Sequence, residues 1–388
     1  MVFGAERRWR SAALALWACA SIWFAGSGLA HADEASGTWT GELEGHGSYY
    51  YERSTEVWVP TGRLAMEAPN GMRVSVSYLA DVIASASVAQ TGRPDSDAVH
   101  VEVRQGVGTG FGKAIQLGEN ELDLSVNAVH SWESDYISWF GGVRVGYLFN
   151  EKNTGLSLGV TGVHDSVYMN QMGSRNFVGY LDGVTLNFGF SQILSPVLTF
   201  GAGYQFVYLT GYLGNPYRVP QIGPSPFMEA PPDSRIRHNL ELTAAWYLPE
   251  TRTTFQGFAR LYTDSWDLNA ITPELRIYQE LGRDFGLRFR ARYYLQGRAY
   301  FALEDGDLGM YQAGYMGPLT ADPKLSAFDS FQLGGRISFA LTALERSFLS
   351  FVSRGVLDLS FDHQWTTVDS TSFGRKNFFM ILGGRLPF

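Results

Sequence analysis

Three arginines, Arg288, Arg290 and Arg292, alternate with the apolar residues of a run from Leu287 to Leu295. Arg276 and Arg260 hold comparable places in the two preceding runs. Guanidinium groups at every second position share one face of an extended strand. Along a water-filled passage they form a basic ladder that attracts anions. Glu274 and Glu280 lie beside Arg276, so the same residues also permit a wall neutralised by its own ion pairs. Arg336, Arg144 and Arg104 are further pore-lining candidates, and Arg73, Asp81, Glu102 and Asp123 share the inward periodicity. The excess of 26 Arg over 4 Lys suits planar, bidentate pairing.

Other chemistry is sparse. His46, His100, His130, His164, His238 and His363 are dispersed, and neither a zincin helix nor a nucleophile elbow occurs. Gly106-Val107-Gly108-Thr109-Gly110 lacks the spacing of a phosphate loop. Asp95 and Asp97, or Asp305 and Asp307, do not match a calcium-loop pattern. The expectation is a protein that is not an enzyme, with no catalytic residue, no cofactor and no resident metal. A net charge of −8 argues against a nucleic-acid partner.

The ladder must be held by strands, and the sequence supplies them. Leu198, Phe200, Ala202, Tyr204, Phe206 and Tyr208 alternate with Thr199, Gly201, Gly203 and Gln205. Leu122, Leu124, Val126 and Ala128 alternate with Asp123, Ser125 and Asn127. Such period-two runs, about sixteen of them, continue from residue 42 to residue 388, many twelve to sixteen residues long. Globular strands average about five or six residues, whereas a tilted strand crossing a bilayer needs about nine to eleven. The fold class expected is all-β, a transmembrane antiparallel up-and-down barrel of sixteen strands, within a range of fourteen to eighteen. The pattern also explains 45% hydrophobic residues at a mean hydropathy of only −0.09.

Connections give a second pattern. Short turns at 69–71, 150–153, 194–196, 249–251 and 282–284 follow even-numbered strands. Longer connections at 89–98, 169–177, 211–233, 301–325 and 366–375 follow odd-numbered ones. The segment 112–117 reads as a further connection, and 350–365 as the fifteenth strand. The long segments 211–233 and 301–325 are candidates for folding into the lumen. Tyr49, Tyr50, Tyr51, Trp132, Trp139, Trp246, Tyr247, Trp266 and Trp365 are expected in interfacial girdles.

Residues 1–32 read as a signal peptide: Arg7, Arg8 and Arg10, an apolar stretch, then Ala30-His31-Ala32. It contains the one cysteine, Cys19. Residues 33–41 then form a short periplasmic segment before a barrel at 42–388. At the other end Phe378, Met380, Leu382, Gly384, Leu386 and the terminal Phe388 alternate to the last residue. This resembles the C-terminal assembly signal of outer-membrane barrels, which barrel assembly machinery reads by strand addition. Pro387 departs from that pattern but is tolerated at a strand end.

Several segments resemble an uncharacterised family of Gram-negative outer-membrane barrel proteins, a domain of unknown function. They are Ser77 to Ser87, Leu194-Ser195-Pro196, Gly214-Asn215-Pro216-Tyr217-Arg218, Arg290-Ala291-Arg292-Tyr293-Tyr294 and Thr320 to Phe328. The similarity runs from about residue 42 to the C-terminus. It implies the barrel and an outer-membrane location, and it transfers no activity. The functional expectation is a porin-like passive channel for small hydrophilic solutes, embedded in outer-membrane lipid. Trimeric or other homo-oligomeric association is an analogy from barrels of this size. The alternatives are a non-conducting surface or transport module with a loop-closed lumen, handling lipid or an export partner, and an outer-membrane hydrolase with Ser, His and acid on the lipid-facing wall.

Overall fold

The computed structural model describes residues 38–52, 55–85, 100–171, 174–217, 221–222, 225–226, 229–303, 317–368 and 375–388. The signal-peptide reading, Cys19, and the pairs Asp95/Asp97 and Asp305/Asp307 fall outside them.

Sixteen antiparallel strands close one barrel. They are β1 (Thr40–Glu52), β2 (Thr55–Glu67), β3 (Met72–Ser85), β4 (His100–Leu117), β5 (Asn120–Trp132), β6 (Tyr136–Phe149), β7 (Thr154–Gln171), β8 (Ser174–Ser195), β9 (Leu198–Gly211), β10 (Ser234–Leu248), β11 (Thr253–Asp264), β12 (Asn269–Leu281), β13 (Phe285–Gln296), β14 (Phe328–Ala340), β15 (Val356–Val368) and β16 (Arg375–Pro387). Each pairs with its sequence neighbours, and β1 closes on β16 with Leu43 opposite Leu386 and Tyr51 opposite Phe378. Closure extends to the last residue, where Gly41 and Phe388 exchange two backbone hydrogen bonds of 2.8 Å. Every strand of the barrel is paired on both sides, as a wall in hydrocarbon requires.

Alternation turns the apolar rows outward. Val76, Phe111, Val126, Val143, Leu158, Leu287, Phe289 and Leu382 are all exposed, as are Trp139, Trp246 and Trp365. So wide an apolar exterior is the surface a bilayer covers. Tyr50 departs from the expected girdle: it faces inward, donating to Glu52 at 2.7 Å and packing on Phe379. Trp266 also leaves the girdle and is buried in a loop cluster described below.

The end that carries both termini has mostly tight turns. Gly71 takes φ +76° in one of them and donates to the Ala68 carbonyl. Three successive residues, Asn150, Glu151 and Lys152, adopt left-handed φ in another. Three connections differ from the sequence expectation. Residues 112–117 belong to β4, whose turn lies at 118–119. The stretch 169–177 is mostly strand, because β7 and β8 continue as an 18- and 22-residue hairpin. A register shift at Val167/Tyr168 accommodates that extension. Residues 350–352 form a 3₁₀ turn, the second of two between β14 and β15, so β15 begins only at Val356. That connection is long on the otherwise short-turn side, and no loop-length rule foresees it.

Candidate functional site

The inward face of the barrel divides into two unlike walls. On the first, β13 presents Arg288, Arg290 and Arg292 inward, with Leu287, Phe289 and Leu295 outward. Strand register sets their neighbours: Arg292 stands opposite Glu274, Arg290 opposite Arg276, and Arg288 opposite both Tyr278 and Arg336. Glu274 reaches two guanidiniums, pairing with Arg276 and with Arg290 Nε at 3.1 Å. Arg290 also reaches Asp362 of β15 at 3.4 Å. Arg260 donates to Glu241 of β10, 3.1 Å from Nε. Arg336 donates to Ser360 at 3.2 Å, with Asp358 at 3.8 Å. Arg276 lies over the Phe258 ring at 4.2 Å.

Four of the ladder arginines are thus neutralised by carboxylates. Among the described residues Arg288 and Arg292 have no ion pair or hydrogen bond, and Arg288 Nε is buried without an acceptor. Their positive charge is the wall's uncompensated part. Glu280 lies on the same face, exposed near the short-turn end. Arg144, on β6, faces Ser125 and Gly159 and has no acid partner among the described residues. Arg104 sits apart from all of these, 7% exposed at the long-loop end, with Asp81 at 3.5 Å.

The second wall, β3 to β9, is built mostly from small and neutral residues, with Arg144 the charged exception at its middle. Ser75, Ser77, Gly108, Gly110, Ser125, Asn127, Gly142, Thr161, Asn187, Gly203 and Gln205 share its inward rows. Asn187 accepts from Gln205 at 2.9 Å, and Gln205 accepts from Asn239 at 3.1 Å. A Cβ at Gly108 would lie 2.5 Å from Ser77 Oγ, so the glycine keeps the serine in place. Arg73 and Asp123 form a single ion pair towards the short-turn end.

Above the arginine wall, external connections fold over the inward side of the rim. Arg235, which faces inward on β10, pairs with Asp264 and lies 4.0 Å from the Trp266 ring centre. Trp266 meets Phe301 edge-on at 5.0 Å, in a buried cluster with Ala299 and Ala302 that Leu213 and Leu325 cover. Gln296, also inward, donates to the Lys324 and Ser326 carbonyls at 2.8 Å. Bridges join Ala230 to Leu319 and Ala302 to Thr320, so the loops after β9 and β13 are knitted together. Burial of Trp266 was hidden from sequence, because an aromatic at a strand end reads as girdle.

Four histidines, His130, His164, His238 and His363, lie on outward rows and pack on aromatic rings. His164 Nδ1 is 2.7 Å from Asp182 on the exposed exterior. A hydrolase site on this wall would need such a histidine–acid pair together with a serine hydroxyl. Among the described residues no hydroxyl is hydrogen-bonded to His164.

The C-terminal alternation falls on the outward row, Phe378, Met380, Leu382, Leu386 and Phe388, with Phe379 and Ile381 inward. Its strand is the one that closes the barrel.

Residues 179–346 match the family described as protein of unknown function DUF3570. The matched DUF3570 segment runs from β8 through β14 and holds most of the arginine wall and the knitted loops. No curated protein matches the chain. Among solved structures, a bacterial polysaccharide outer membrane secretin is similar at 11% identity and a TM-score of 0.49, over 90% of this chain and 98% of that one. OccK2 (OpdF) of Pseudomonas aeruginosa gives 10% identity and a TM-score of 0.43 over 90% and 98%. A BenF-like porin from Pseudomonas fluorescens Pf-5 gives 12% and 0.43 over 90% and 99%.

Proposed function

We propose that this chain is an outer-membrane porin-like channel that passes small hydrophilic solutes passively, with a mild preference for anions. The observation that carries the reading is the pair Arg288 and Arg292, without a carboxylate partner among the described residues on the inward face of a wall where Arg260, Arg276, Arg290 and Arg336 are each paired. Fixed charge facing water raises the local concentration of opposite ions and disfavours like ones. The neutral wall opposite supplies hydroxyl and amide groups that solvate a passing solute without holding it. Residues 1–32 serve as the export signal, and the outward row ending at Phe388 is read by the barrel assembly machinery. In a planar bilayer the folded protein gives discrete conductance steps. A folded barrel that gives none sinks the channel.

One observation favours a second reading. The loop cluster rests on Arg235 and Gln296, inward residues at the mouth, which is where a plug would rest. A closed, non-conducting transport module would stay silent as wild type and conduct once W266A/F301A loosens the loop cluster.

A further inference from the structure

The connection from β14 to β15, residues 341–355, reverses the polarity expected of a loop in water. Its two 3₁₀ turns are Leu341–Leu344 and Ser350–Val352. Its serines fold back on their own backbone: the Ser347 hydroxyl donates to the Leu344 carbonyl at 2.8 Å, and the Ser353 hydroxyl to the Ser350 carbonyl at 2.7 Å. Ser353 is buried by this arrangement. The phenyl rings point the other way. Phe348 is 89% exposed and Phe351 71%, more than any other large apolar residue among those described. Rings so bare touch almost nothing of the protein itself, and two of them on one loop mark a surface that something else covers.

The loop begins where the lipid-facing row ends. Phe339 of β14 stands opposite Leu357 of β15 and Phe285 of β13, and Phe285 stands opposite Leu281 of β12. Phe339 packs on Phe285 at 4.9 Å. Leu281, Phe285, Ile337 and Leu357 are all exposed at this edge, and Leu341 takes the next outward place after Phe339. The stem is tied down there. The Ala340 N–H donates to the Asp284 carbonyl at 2.8 Å, the Leu341 N–H to the Gly355 carbonyl at 2.9 Å, and the Thr342 hydroxyl to the Asp284 carboxylate. A Cβ at Gly355 would lie 2.9 Å from the Val352 carbonyl, so the returning chain needs a glycine. The loop therefore continues the apolar belt that a bilayer covers.

Charge agrees with this. Arg346 and Arg354 flank the rings, exposed and without a carboxylate partner among the described residues, and Arg283 is exposed in the neighbouring turn. Against them stand Glu345, exposed, and Asp284, engaged by Thr342. Guanidinium groups beside aromatic rings are the composition of segments that lie at a lipid interface, rings among the acyl chains and cations on the phosphates.

We propose that residues 344–354 form an interfacial anchor, in which Phe348 and Phe351 enter the phospholipid leaflet at the short-turn end and Arg346 and Arg354 bind anionic headgroups. Anchoring this arc would set the depth at which β12 to β15 sit. The inference rests on the barrel spanning a bilayer, and it holds whether or not the barrel conducts.

The test puts a cysteine between the rings, S350C, in a full chain whose native cysteine is replaced by C19S. The folded barrel is labelled with the environment-sensitive dye NBD in vesicles of phosphatidylcholine and phosphatidylglycerol in equal parts. Compared with E250C in the tight turn between β10 and β11, NBD at S350C emits further to the blue. It is also quenched by lipids brominated near the glycerol end of the acyl chain and shielded from aqueous iodide. F348S/F351S abolishes all three effects while the circular dichroism remains that of the barrel, since neither ring packs on it. R346Q/R354Q weakens lipid quenching in these vesicles more than in vesicles of phosphatidylcholine alone. Iodide access equal to that at E250C, with no lipid quenching, overturns the anchor and leaves the rings to a soluble partner. Shielding from iodide without lipid quenching overturns it in favour of contact between copies. Lipid quenching that persists in F348S/F351S overturns the role of the rings, and an effect of R346Q/R354Q that is the same in both vesicles overturns that of the charges.

Discussion

The arginine wall of β10 to β15 and the small-residue wall of β3 to β9 obey the same alternation rule, yet they are held together differently. On the first, side chains reach across strands: Glu274 bridges β12 and β13, Asp362 joins β15 to Arg290, and Glu241 ties β10 to β11. On the second, glycine and serine interlock close to the backbone, and a short amide relay runs through Asn187, Gln205 and Asn239. The difference shows what each wall can do. Long charged side chains narrow and polarise a lumen, and small neutral ones leave room in it.

The sharpest break of this contrast is Gly334→Val. Gly334 faces Asp362 across β14 and β15, and a Cβ there falls on the carboxylate that holds Arg290. Displacing Asp362 into neighbouring backbone should cost about 3 kcal/mol, read from the urea midpoint of the detergent-folded barrel. Next is Glu274→Gln, which leaves Arg276 and Arg290 without their shared acid. The Glu274 side chain is 8% exposed but borders a wet lumen, so the expected loss is about 2 kcal/mol rather than the full cost of an unpaired buried charge. The same variant should shift ion preference further towards anions. On the other wall Gly108→Ala meets only the movable Ser77 hydroxyl and the tip of Val129, and should cost about 1 kcal/mol with ion preference unchanged. Arg260→Ala removes a pair whose members are 38% and 31% exposed and should cost no more than about 0.5 kcal/mol. If the Gly334 and Gly108 variants lose equal stability, the two walls do not differ as described.

A pH profile sharpens the contrast at the rim. Burial first, and then the neighbouring Glu102 and Asp135, raise the Glu133 carboxyl, in the turn between β5 and β6, from 4.5 to about 8 in the folded protein. A carboxyl raised in this way favours the fold most below pH 4.5, and the advantage disappears as pH rises through 8. Unfolding followed by tryptophan fluorescence should show wild type losing stability across that window, with E133Q flatter.

Much of the barrel is legible from sequence because period-two alternation is a local signal and lipid enforces it along every strand. Leu287 to Leu295 discloses its own strand, its own faces and its three inward arginines. Pairing is not local. Which acid meets which arginine depends on register between strands, and Asp362 lies 72 residues from Arg290. Nothing near Arg288 or Arg292 marks them as the ones left without a partner. The gathering of Asp81, Glu102, Glu133 and Asp135 was equally hidden, since they come from two strands and a turn. Asp358-x-Ser360-x-Asp362, an acidic alternation facing the arginine run, was the one visible hint of the opposing charges.

The most direct test of the account is the zero-current potential of single channels under a potassium chloride gradient, for wild type and for R288Q/R292Q. The account predicts discrete steps, a potential of the sign carried by chloride, and a shift towards the potassium side in the variant. Steps with the same potential in both proteins would contradict the role of these two arginines, and a correctly folded wild-type barrel without steps would contradict the channel.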